Sequence, residues 1–316
     1  MEIVIGSRGS KLALWQSEWV KARLEALGAD VSVRIEILKT KGDVMRDVPL
    51  AVIGGQGAFT KELEVALLDG RIDVAVHSLK DLPTVIPEGL SITATPERED
   101  ARDALVLRAD NDDVRNASVK NISEGATIGT SSLRRIAQLK HLRPDIQIKD
   151  LRGNVDTRLR KLDAGEYDAL ILASAGLRRL GLAGRISAAI DTEEMLPAVS
   201  QGALGIETRD GDAETNALVS RLDDTRTRAA VLAERALLRA LGGGCQVPIA
   251  AHATVKGDVL RLDGLVASLD GREVIRDRIE GDAAEAAHVG EALAARMLER
   301  GAGVLLADMP VQIRES

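Results

Sequence analysis

The sequence predicts an α/β protein with two related α/β domains and a small α+β domain at its carboxyl end. The runs IVIGSR (3–8) and ATIGTSS (126–132) each lead through a glycine turn into a helical pattern. A second matching phrase follows each of them, GRIDVAV (70–76) and GEYDALI (165–171). The spacing between phrases differs in the two halves, which excludes a solenoid repeat. The two halves are therefore expected to be separate domains of similar design.

The elements of these two domains follow from apolar runs and periodicity. The short runs 74–76 and 169–172 are typical of buried strands, and segments 61–68 and 158–163 suit crossover helices of a mostly parallel sheet. Ligands of open α/β sheets bind beyond the carboxyl ends of the strands. Two such domains facing each other predict a central cleft, and the residues expected at its edge are Ser7, Ser78, Thr130 and Ser174.

The pattern changes near residue 225. A long helix is expected over 226–241, ending where glycines supply the left-handed conformation of a helix terminus. Turn signals at 257–258 and 270–271 then predict antiparallel strands, and a last helix is expected over 283–299. We expect three domains, which comprise residues 1–99 with 200–220, residues 100–199, and residues 221–316.

Composition excludes several classes of protein. The chain has 316 residues, 45% of them hydrophobic, and no apolar run long enough for a membrane span, so disorder and membrane insertion are not expected. A net charge of −7 argues against a nucleic-acid partner. One cysteine and four scattered histidines offer no metal-ligand spacing. The amino terminus lacks a secretory pattern, so a cytoplasmic protein is expected.

Basic residues concentrate between positions 131 and 185, where twelve lysines and arginines stand against six acids. Thr130, Ser131 and Ser132 can cap a helix that begins near residue 133. Arg134 and Arg135 then occupy its first turn, where cations are unfavourable unless they bind an anion. The alternative is that both are solvated. Many separate guanidinium groups, without a phosphate-binding GxxxxGK[ST] loop, favour a ligand with several carboxylates over a nucleotide.

Two further positions could carry chemistry. Lys80 and Asp81 follow a predicted buried strand, and a carboxylate among arginines is either an ion-pair spacer or an acid/base group. His77 is expected to pack beside that strand. Cys245 follows three glycines and has no obvious histidine partner, which favours a covalent attachment point over a cysteine–histidine nucleophile.

Four motifs occur in a fixed order: HSLKDLP (77–83), GTSSLRR (129–135), LRGNVDTR (151–158) and GGCQVP (243–248). They closely resemble the porphobilinogen deaminase (hydroxymethylbilane synthase) family, over essentially the whole chain. The resemblance implies two type II periplasmic-binding-protein-like domains with a central cleft, plus a small α+β domain that bears the cysteine.

The resemblance also implies a transferase of porphyrin and heme biosynthesis. It deaminates four porphobilinogen molecules and joins them head to tail into the linear tetrapyrrole hydroxymethylbilane. A dipyrromethane cofactor, attached to Cys245 by a thioether, primes the chain, and no metal is needed. The acetate and propionate on each pyrrole account for the many arginines.

Residue roles are carried over from the family by motif. Asp81 matches the catalytic aspartate, which aids the loss of ammonia and stabilises the azafulvene cation that forms. The residues that resemble the cofactor binders are Cys245, Lys80, Asp81, Ser132, Arg134, Arg135 and Arg158. Those that resemble the substrate binders are Arg8, Ser10, Phe59, Thr130, Arg152, Arg158 and Arg179. Gln201 matches a hinge residue, and Gln56 replaces a lysine that some members carry in the glycine-rich loop.

Two rival functions are weighed against this one. A two-domain solute-binding or effector-sensing module for a polycarboxylate would use the arginines but gives no task to Cys245 or Asp81. A cysteine acyltransferase lacks the expected histidine partner. No apolar surface stripe stands out in the sequence, so a monomer is expected.

Overall fold

The computed structural model describes residues 1–39, 60–108, 117–243 and 247–307. The strands, numbered along the chain, are β1 (Glu2–Ser7), β2 (Ser32–Ile37), β3 (Val74–Ser78), β4 (Leu90–Ala94), β5 (Asp103–Leu107), β6 (Thr127–Gly129), β7 (Gln147–Lys149), β8 (Ala169–Ala173), β9 (Ala188–Ala189), β10 (Leu204–Arg209), β11 (Ile249–Lys256), β12 (Val259–Ala267) and β13 (Val274–Asp282). The helices are α1 (Lys11–Glu25), α2 (Lys61–Leu68), α3 (Leu133–Leu142), α4 (Val155–Asp163), α5 (Ser174–Arg179), α6 (Ala213–Val219), α7 (Thr225–Ala240), α8 (Ala286–Glu299) and α9 (Ala302–Ala307).

The chain divides into two compact units. Unit 1 comprises Met1–Glu99 and Ala203–Arg228. Its sheet has the order β2-β1-β3-β10-β4, with β1, β2 and β3 parallel and β10 antiparallel to both of its neighbours. Alternate residues of a strand point to opposite faces. Ile3 and Ile5 pack with α1, whereas Val4 packs with α2, so both faces of the sheet are buried.

Unit 2 comprises Asp100–Gly202 and Ala229–Ser316. Its larger sheet has the order β7-β6-β8-β5-β9, in which β6, β7 and β8 are parallel and β5 is antiparallel to both of its neighbours. The arrangement repeats that of unit 1: β6, β7 and β8 take the places of β1, β2 and β3, and an antiparallel strand follows in each case. The expectation of two related α/β sheets is confirmed.

Unit 2 also contains a three-stranded antiparallel sheet, β11-β12-β13, which packs against α7 and α8. Its two hairpin turns contain Gly257 and Gly271, with φ of 61° and 72°. A Cβ on Gly290 of α8 would lie 2.3 Å from the Ala233 carbonyl oxygen of α7, so a glycine allows these helices to approach closely. The α+β character expected for the carboxyl end is confirmed, while the three-domain boundaries stay a prediction.

The ends of α7 and α8 follow from capping. Gly242, with φ of 68°, follows α7, and the Gly243 N–H donates to the Leu238 carbonyl at 3.0 Å, so the glycine stop is confirmed. α8 begins three residues later than expected, because Asp282 accepts from the Ala284 N–H at 2.9 Å and starts a short 3₁₀ turn first. Among the described residues no helix is both long and apolar enough to span a bilayer.

Candidate active site

Asp81 lies on the turn after β3, which is held in place by a buried side chain and by backbone hydrogen bonds. Leu79 is fully buried, and its N–H donates to the Ala203 carbonyl at 3.0 Å. The Leu82 N–H closes the turn on the Leu79 carbonyl at 3.2 Å. Asp81 itself is exposed and Lys80 is half-buried. The carboxylate therefore lies at the carboxyl end of β3, on a turn whose flanks are fixed by burial and backbone hydrogen bonds.

His77 is buried, as expected for a packed rather than a catalytic histidine, and it is a residue of β3 itself. Its Nε2 lies 2.9 Å from Glu207 Oε2 of β10, and the Glu207 side chain is fully buried. Glu64 of α2 belongs to the same polar cluster. Burial raises the pKa of Glu64, and the nearby charge of Glu207 adds to this, whereas a hydrogen bond from Thr60 and the neighbouring His77 oppose it. Neither glutamate was singled out from the sequence.

The β1–α1 turn carries the predicted substrate binders Arg8 and Ser10. Ser10 is the N-cap of α1, and its Oγ accepts from the Ala13 N–H at 3.3 Å. The hydroxyl accepts in that bond, so it can still donate its own proton to a ligand carboxylate. Arg8 is half-buried.

The β6–α3 turn of unit 2 repeats this design. Ser132 is the N-cap of α3, but its side chain makes no capping hydrogen bond. Ser131 Oγ instead donates to the Leu151 carbonyl at 2.7 Å, and the buried Thr130 Oγ1 accepts from the Ser132 N–H at 3.2 Å. The Ser132 hydroxyl and the first N–H groups of α3 therefore form a set of donors suited to an anion.

Glycine occupies matching positions near the carboxyl ends of two strands, Gly6 in β1 and Gly129 in β6. A Cβ on Gly6 would lie 2.3 Å from Ile72 Cδ1, and one on Gly129 would lie 2.5 Å from Leu170 Cδ2. The matched glycines of the sequence thus serve close packing beneath the turn.

Arg134 and Arg135 are buried around Asp103, the first residue of β5. They are 4% and 6% exposed, so the solvated interpretation is wrong. Arg134 Nη1 donates to Asp103 Oδ2 at 2.7 Å, and Arg135 Nη2 and Nε donate to Oδ1 at 2.7 and 3.1 Å. Burial alone would raise the pKa of Asp103, but the two guanidinium groups outweigh it and hold that pKa well below its usual range.

This trio holds two cations against one anion. Arg134 Nη1 also donates to the Leu196 carbonyl, and Arg135 Nη1 to the Ile171 carbonyl. Arg134 Nε is buried and has no hydrogen-bond partner among the described residues. A buried net positive charge with an unsatisfied donor is costly unless an anion completes it. The donor set therefore suits a carboxylate ligand.

Arg152 lies just before α4 and Arg158 lies in its first turn, and both are half-buried. Arg152 Nε donates to Asp150 Oδ2 at 2.7 Å, and Arg158 Nε donates to the Gly153 carbonyl at 2.7 Å. Burial raises the pKa of Asp150, but a hydrogen bond to Ser131 and the charges of the two arginines lower it by more. A guanidinium group carries five N–H donors in a planar fork, a geometry that suits a carboxylate ligand.

Arg179, the last residue of α5, and Gln201 both make contacts near the end of the first segment of unit 2, which ends at Gly202. Arg179 is buried, and its Nη2 donates to the Gly202 carbonyl at 2.6 Å. Gln201 Nε2 donates to the Ala101 carbonyl and to Asp103 Oδ1, both at 2.8 Å. Asp103 thus accepts from two predicted cofactor binders and from the predicted hinge residue, although Asp103 itself was not singled out from the sequence.

Comparison with known proteins decides the family. The model "Porphobilinogen deaminase, dipyromethane cofactor binding domain" matches residues 3–217, and "Porphobilinogen deaminase, C-terminal domain" matches residues 228–299. The chain belongs to the porphobilinogen deaminase family. It is accordingly a transferase, and the matched cofactor-binding domain contains every predicted site residue except Cys245.

Curated porphobilinogen deaminases match this chain along nearly its whole length. The porphobilinogen deaminase of Pelobacter propionicus is 51% identical over 98% of this chain and 97% of its own. That of Syntrophotalea carbinolica is 52% identical over 97% and 96%, and that of Synechococcus elongatus 50% identical over 99% and 97%.

Two solved structures match about 70% of this chain at low sequence identity. The effector-binding domain of BenM with benzoate is 17% identical, covering 70% of this chain and 89% of that one, with a TM-score of 0.42. The methionine-binding protein MetQ is 14% identical, covering 70% and 89%, with a TM-score of 0.43.

Three residues singled out in the sequence lie outside the described residues: Gln56, Phe59 and Cys245. The rest of the cofactor set fits a dipyrromethane. Such a group carries several carboxylates, and the described candidates supply ammonium, hydroxyl and guanidinium donors, including the unsatisfied Nε of Arg134.

Proposed function

We propose that Asp81 is the catalytic carboxylate of this porphobilinogen deaminase, and that the arginines described above bind the carboxylates of substrate and cofactor. The enzyme deaminates four porphobilinogen molecules and joins them head to tail into hydroxymethylbilane. In each cycle a carbon–nitrogen bond breaks and ammonia leaves, the methylene carbon then bonds to the free α-carbon of the terminal pyrrole of the chain, and that α-carbon loses its proton.

Asp81 suits the step in which ammonia leaves. The departing amine takes its bonding electrons, so positive charge develops over the pyrrole ring and its nitrogen. A carboxylate fixed near that nitrogen lowers the energy of this charge without reorganising. The observation that carries the proposal is an exposed carboxylate on a turn anchored by the fully buried Leu79.

The cofactor supplies, when bound, the pyrrole to which the first substrate is joined. We assign its thioether to Cys245 and its carboxylates to Lys80, Ser132, Arg134, Arg135 and Arg158, with Asp81 beside its pyrrole nitrogens. The net positive charge around Asp103 and the free capping position of Ser132 support this assignment.

The incoming porphobilinogen carries one acetate and one propionate. We assign these to Arg8, Ser10, Thr130, Arg152, Arg158 and Arg179, with Phe59 stacking on the pyrrole. Guanidinium groups support this assignment because their planar fork can donate two parallel hydrogen bonds to one carboxylate. Arg158 serves both ligands in this assignment.

We propose that the enzyme acts as a monomer in the cytoplasm, without nucleic-acid or membrane partners. The net charge of −7 supports the absence of a nucleic-acid partner. The exposed large apolar side chains of the described residues are spread over several elements, which supports a monomer. We also propose the three-domain division given above.

The test compares Asp81→Asn with Asp69→Asn, an exposed aspartate at the end of α2. Denaturing intact mass gives the fraction of each variant that carries the cofactor, and kcat is calculated per loaded enzyme. Asp81→Asn should lower kcat at least about 100-fold with little change in KM, as expected when a charge-stabilising group is lost, and Asp69→Asn should retain wild-type kcat. Near-full turnover by loaded Asp81→Asn would overturn the assignment.

A further inference from the structure

Asp103 is the most heavily hydrogen-bonded carboxylate near the predicted cofactor binders. It is fully buried, and it accepts two bonds from Arg135, one from Arg134 and one from Gln201. Its four contacts come from the adjacent Arg134 and Arg135 of α3 and from Gln201, all at least 31 residues from Asp103 in the sequence. A carboxylate shared in this way fixes the position of every group that donates to it.

The contacts of Asp103 use only part of each guanidinium group. Arg134 gives it Nη1 and keeps a buried Nε that has no partner in the described part of the chain. Arg135 gives it Nε and Nη2, while its Nη1 donates to the Ile171 carbonyl. Both side chains are thereby held in one rotamer by fixed acceptors rather than by a ligand.

The negative charge of Asp103 also offsets the repulsion between Arg134 and Arg135. Two guanidinium groups with nine-tenths or more of their surface buried repel each other, and Asp103 is the carboxylate between them. Removing its charge would leave two buried cations that can relax only by moving apart or by recruiting water. Either response would displace the donors that a ligand carboxylate requires.

We propose that Asp103 is a positioning residue that holds Arg134 and Arg135 in the arrangement that receives the cofactor carboxylates. It acts through the two arginines and does not touch the cofactor. Gln201 extends the same network, because it bonds both Asp103 and the Ala101 carbonyl and so ties the segment near residue 201 to the start of β5. The inference rests on the proposed role of the two arginines.

The test measures cofactor loading rather than turnover. Full-length protein is produced in cells that cannot make porphobilinogen, incubated with porphobilinogen over a range of concentrations, and weighed under denaturing conditions at intervals. For Asp103→Asn we expect the half-saturating porphobilinogen concentration for loading to rise at least about tenfold. The matched control is Asp145→Asn, which removes an exposed bidentate partner of Arg143 in the same unit and should stay within twofold of wild type.

The half-saturating concentration separates positioning from a merely structural role. A structural defect lowers the fraction of protein that loads but leaves that concentration unchanged, and such a result in folded Asp103→Asn would overturn the inference. If Asp103→Asn does not fold, Asp103→Glu keeps the charge and displaces it by one methylene. We then expect a rise of about threefold, and an unchanged value would overturn the inference.

Two further variants distinguish this inference from the proposed function. Normal loading of Arg134→Leu and Arg135→Leu would show that these arginines do not bind the cofactor, and both proposals would fail. If these variants load poorly while Asp103→Asn loads as wild type, only the positioning role of Asp103 fails.

Discussion

His77 and Glu207 form a buried hydrogen-bonded pair in unit 1, with 2.9 Å between Nε2 and Oε2. The pair links β3 to β10, strands that lie about 130 residues apart in the sequence and antiparallel in the sheet. Glu207 Oε1 has no partner among the described residues. Because β3 leads directly into the turn that carries Asp81, this contact supports the part of the chain that presents the proposed catalytic carboxylate.

We predict that Glu207→Ala destabilises the protein strongly. It removes the partner of a buried histidine and leaves a cavity, which together cost about 2–4 kcal/mol in free energy of unfolding. The control is Glu36→Ala on β2, where the glutamate pairs with a half-exposed Arg34, and there the expected change is within about 0.5 kcal/mol. Urea unfolding of both variants measures the difference, and equal losses would contradict this account.

A second prediction concerns Glu64, whose pKa is raised in the folded protein mainly by burial. A raised folded-state pKa favours the protonated form, so the contribution to stability is present at low pH and is lost as the pH rises through the folded pKa. At pH 7 the buried charge is therefore a penalty. Glu64→Gln should raise the free energy of unfolding by about 0.5–1 kcal/mol at pH 7.

This gain should shrink as the pH is lowered through 4.5, the ordinary pKa of the side chain, because Glu64 is then protonated in both states. Glu88→Gln, at an exposed position, should show no gain at either pH. A stabilisation by Glu64→Gln that is the same at pH 4 and pH 7 would show that charge is not its cause.

The matched glycines give a third prediction. Gly6→Ala and Gly129→Ala each place a methyl group within 2.5 Å of a buried side chain, and such overpacking costs about 1–3 kcal/mol in stability. A Cβ on Gly184 would meet nothing within 4 Å, and its φ is not positive, so Gly184→Ala should be neutral or slightly stabilising. Thermal unfolding compares the three; similar melting temperatures would contradict the packing argument.

A fourth prediction concerns Arg152, just before α4, and Arg158, in its first turn. Arg152→Leu and Arg158→Leu should stall elongation, because a growing chain brings new carboxylates to these donors at each step. Intact mass after brief exposure to porphobilinogen should show enzyme carrying partial oligomers. Arg160→Leu, at an exposed position on the same helix, should show the wild-type pattern. Normal kinetics without trapped intermediates would count against carboxylate binding by Arg152 and Arg158.

Much of the fold could be predicted because its signals are local. Apolar runs of strand length, glycine turns and helical periodicity are read within about ten residues, and they predicted β1, β3, β6 and β8 as well as the crossover helices. The antiparallel fourth strand of each sheet could not be predicted. β10 joins the sheet of unit 1 by pairing with residues 74–78 on one side and 90–94 on the other, and no local pattern specifies partners at that separation.

The candidate site residues were also predicted from local signals, and their roles stay predictions. Motifs of six to eight residues carried Asp81, Arg134 and Arg135 by resemblance. Asp103 and Glu207 were missed because the role of each buried acid depends on hydrogen-bond partners that lie 31 and 130 residues away in the sequence. No local pattern around either acid identifies those partners. The burial of Arg134 and Arg135 likewise depends on contacts that β5 supplies, so their ion pairs with Asp103 could not be read from α3 alone.

The most direct test of the account is the denaturing intact mass of freshly purified protein beside a Cys245→Ser variant. A thioether survives unfolding, whereas a bound ligand is lost. The account predicts that the wild type alone exceeds its sequence mass by two linked pyrrole units. Wild-type protein whose mass equals its sequence, and stays unchanged after incubation with porphobilinogen, would contradict the covalent priming cofactor on Cys245 and the catalytic scheme that depends on it.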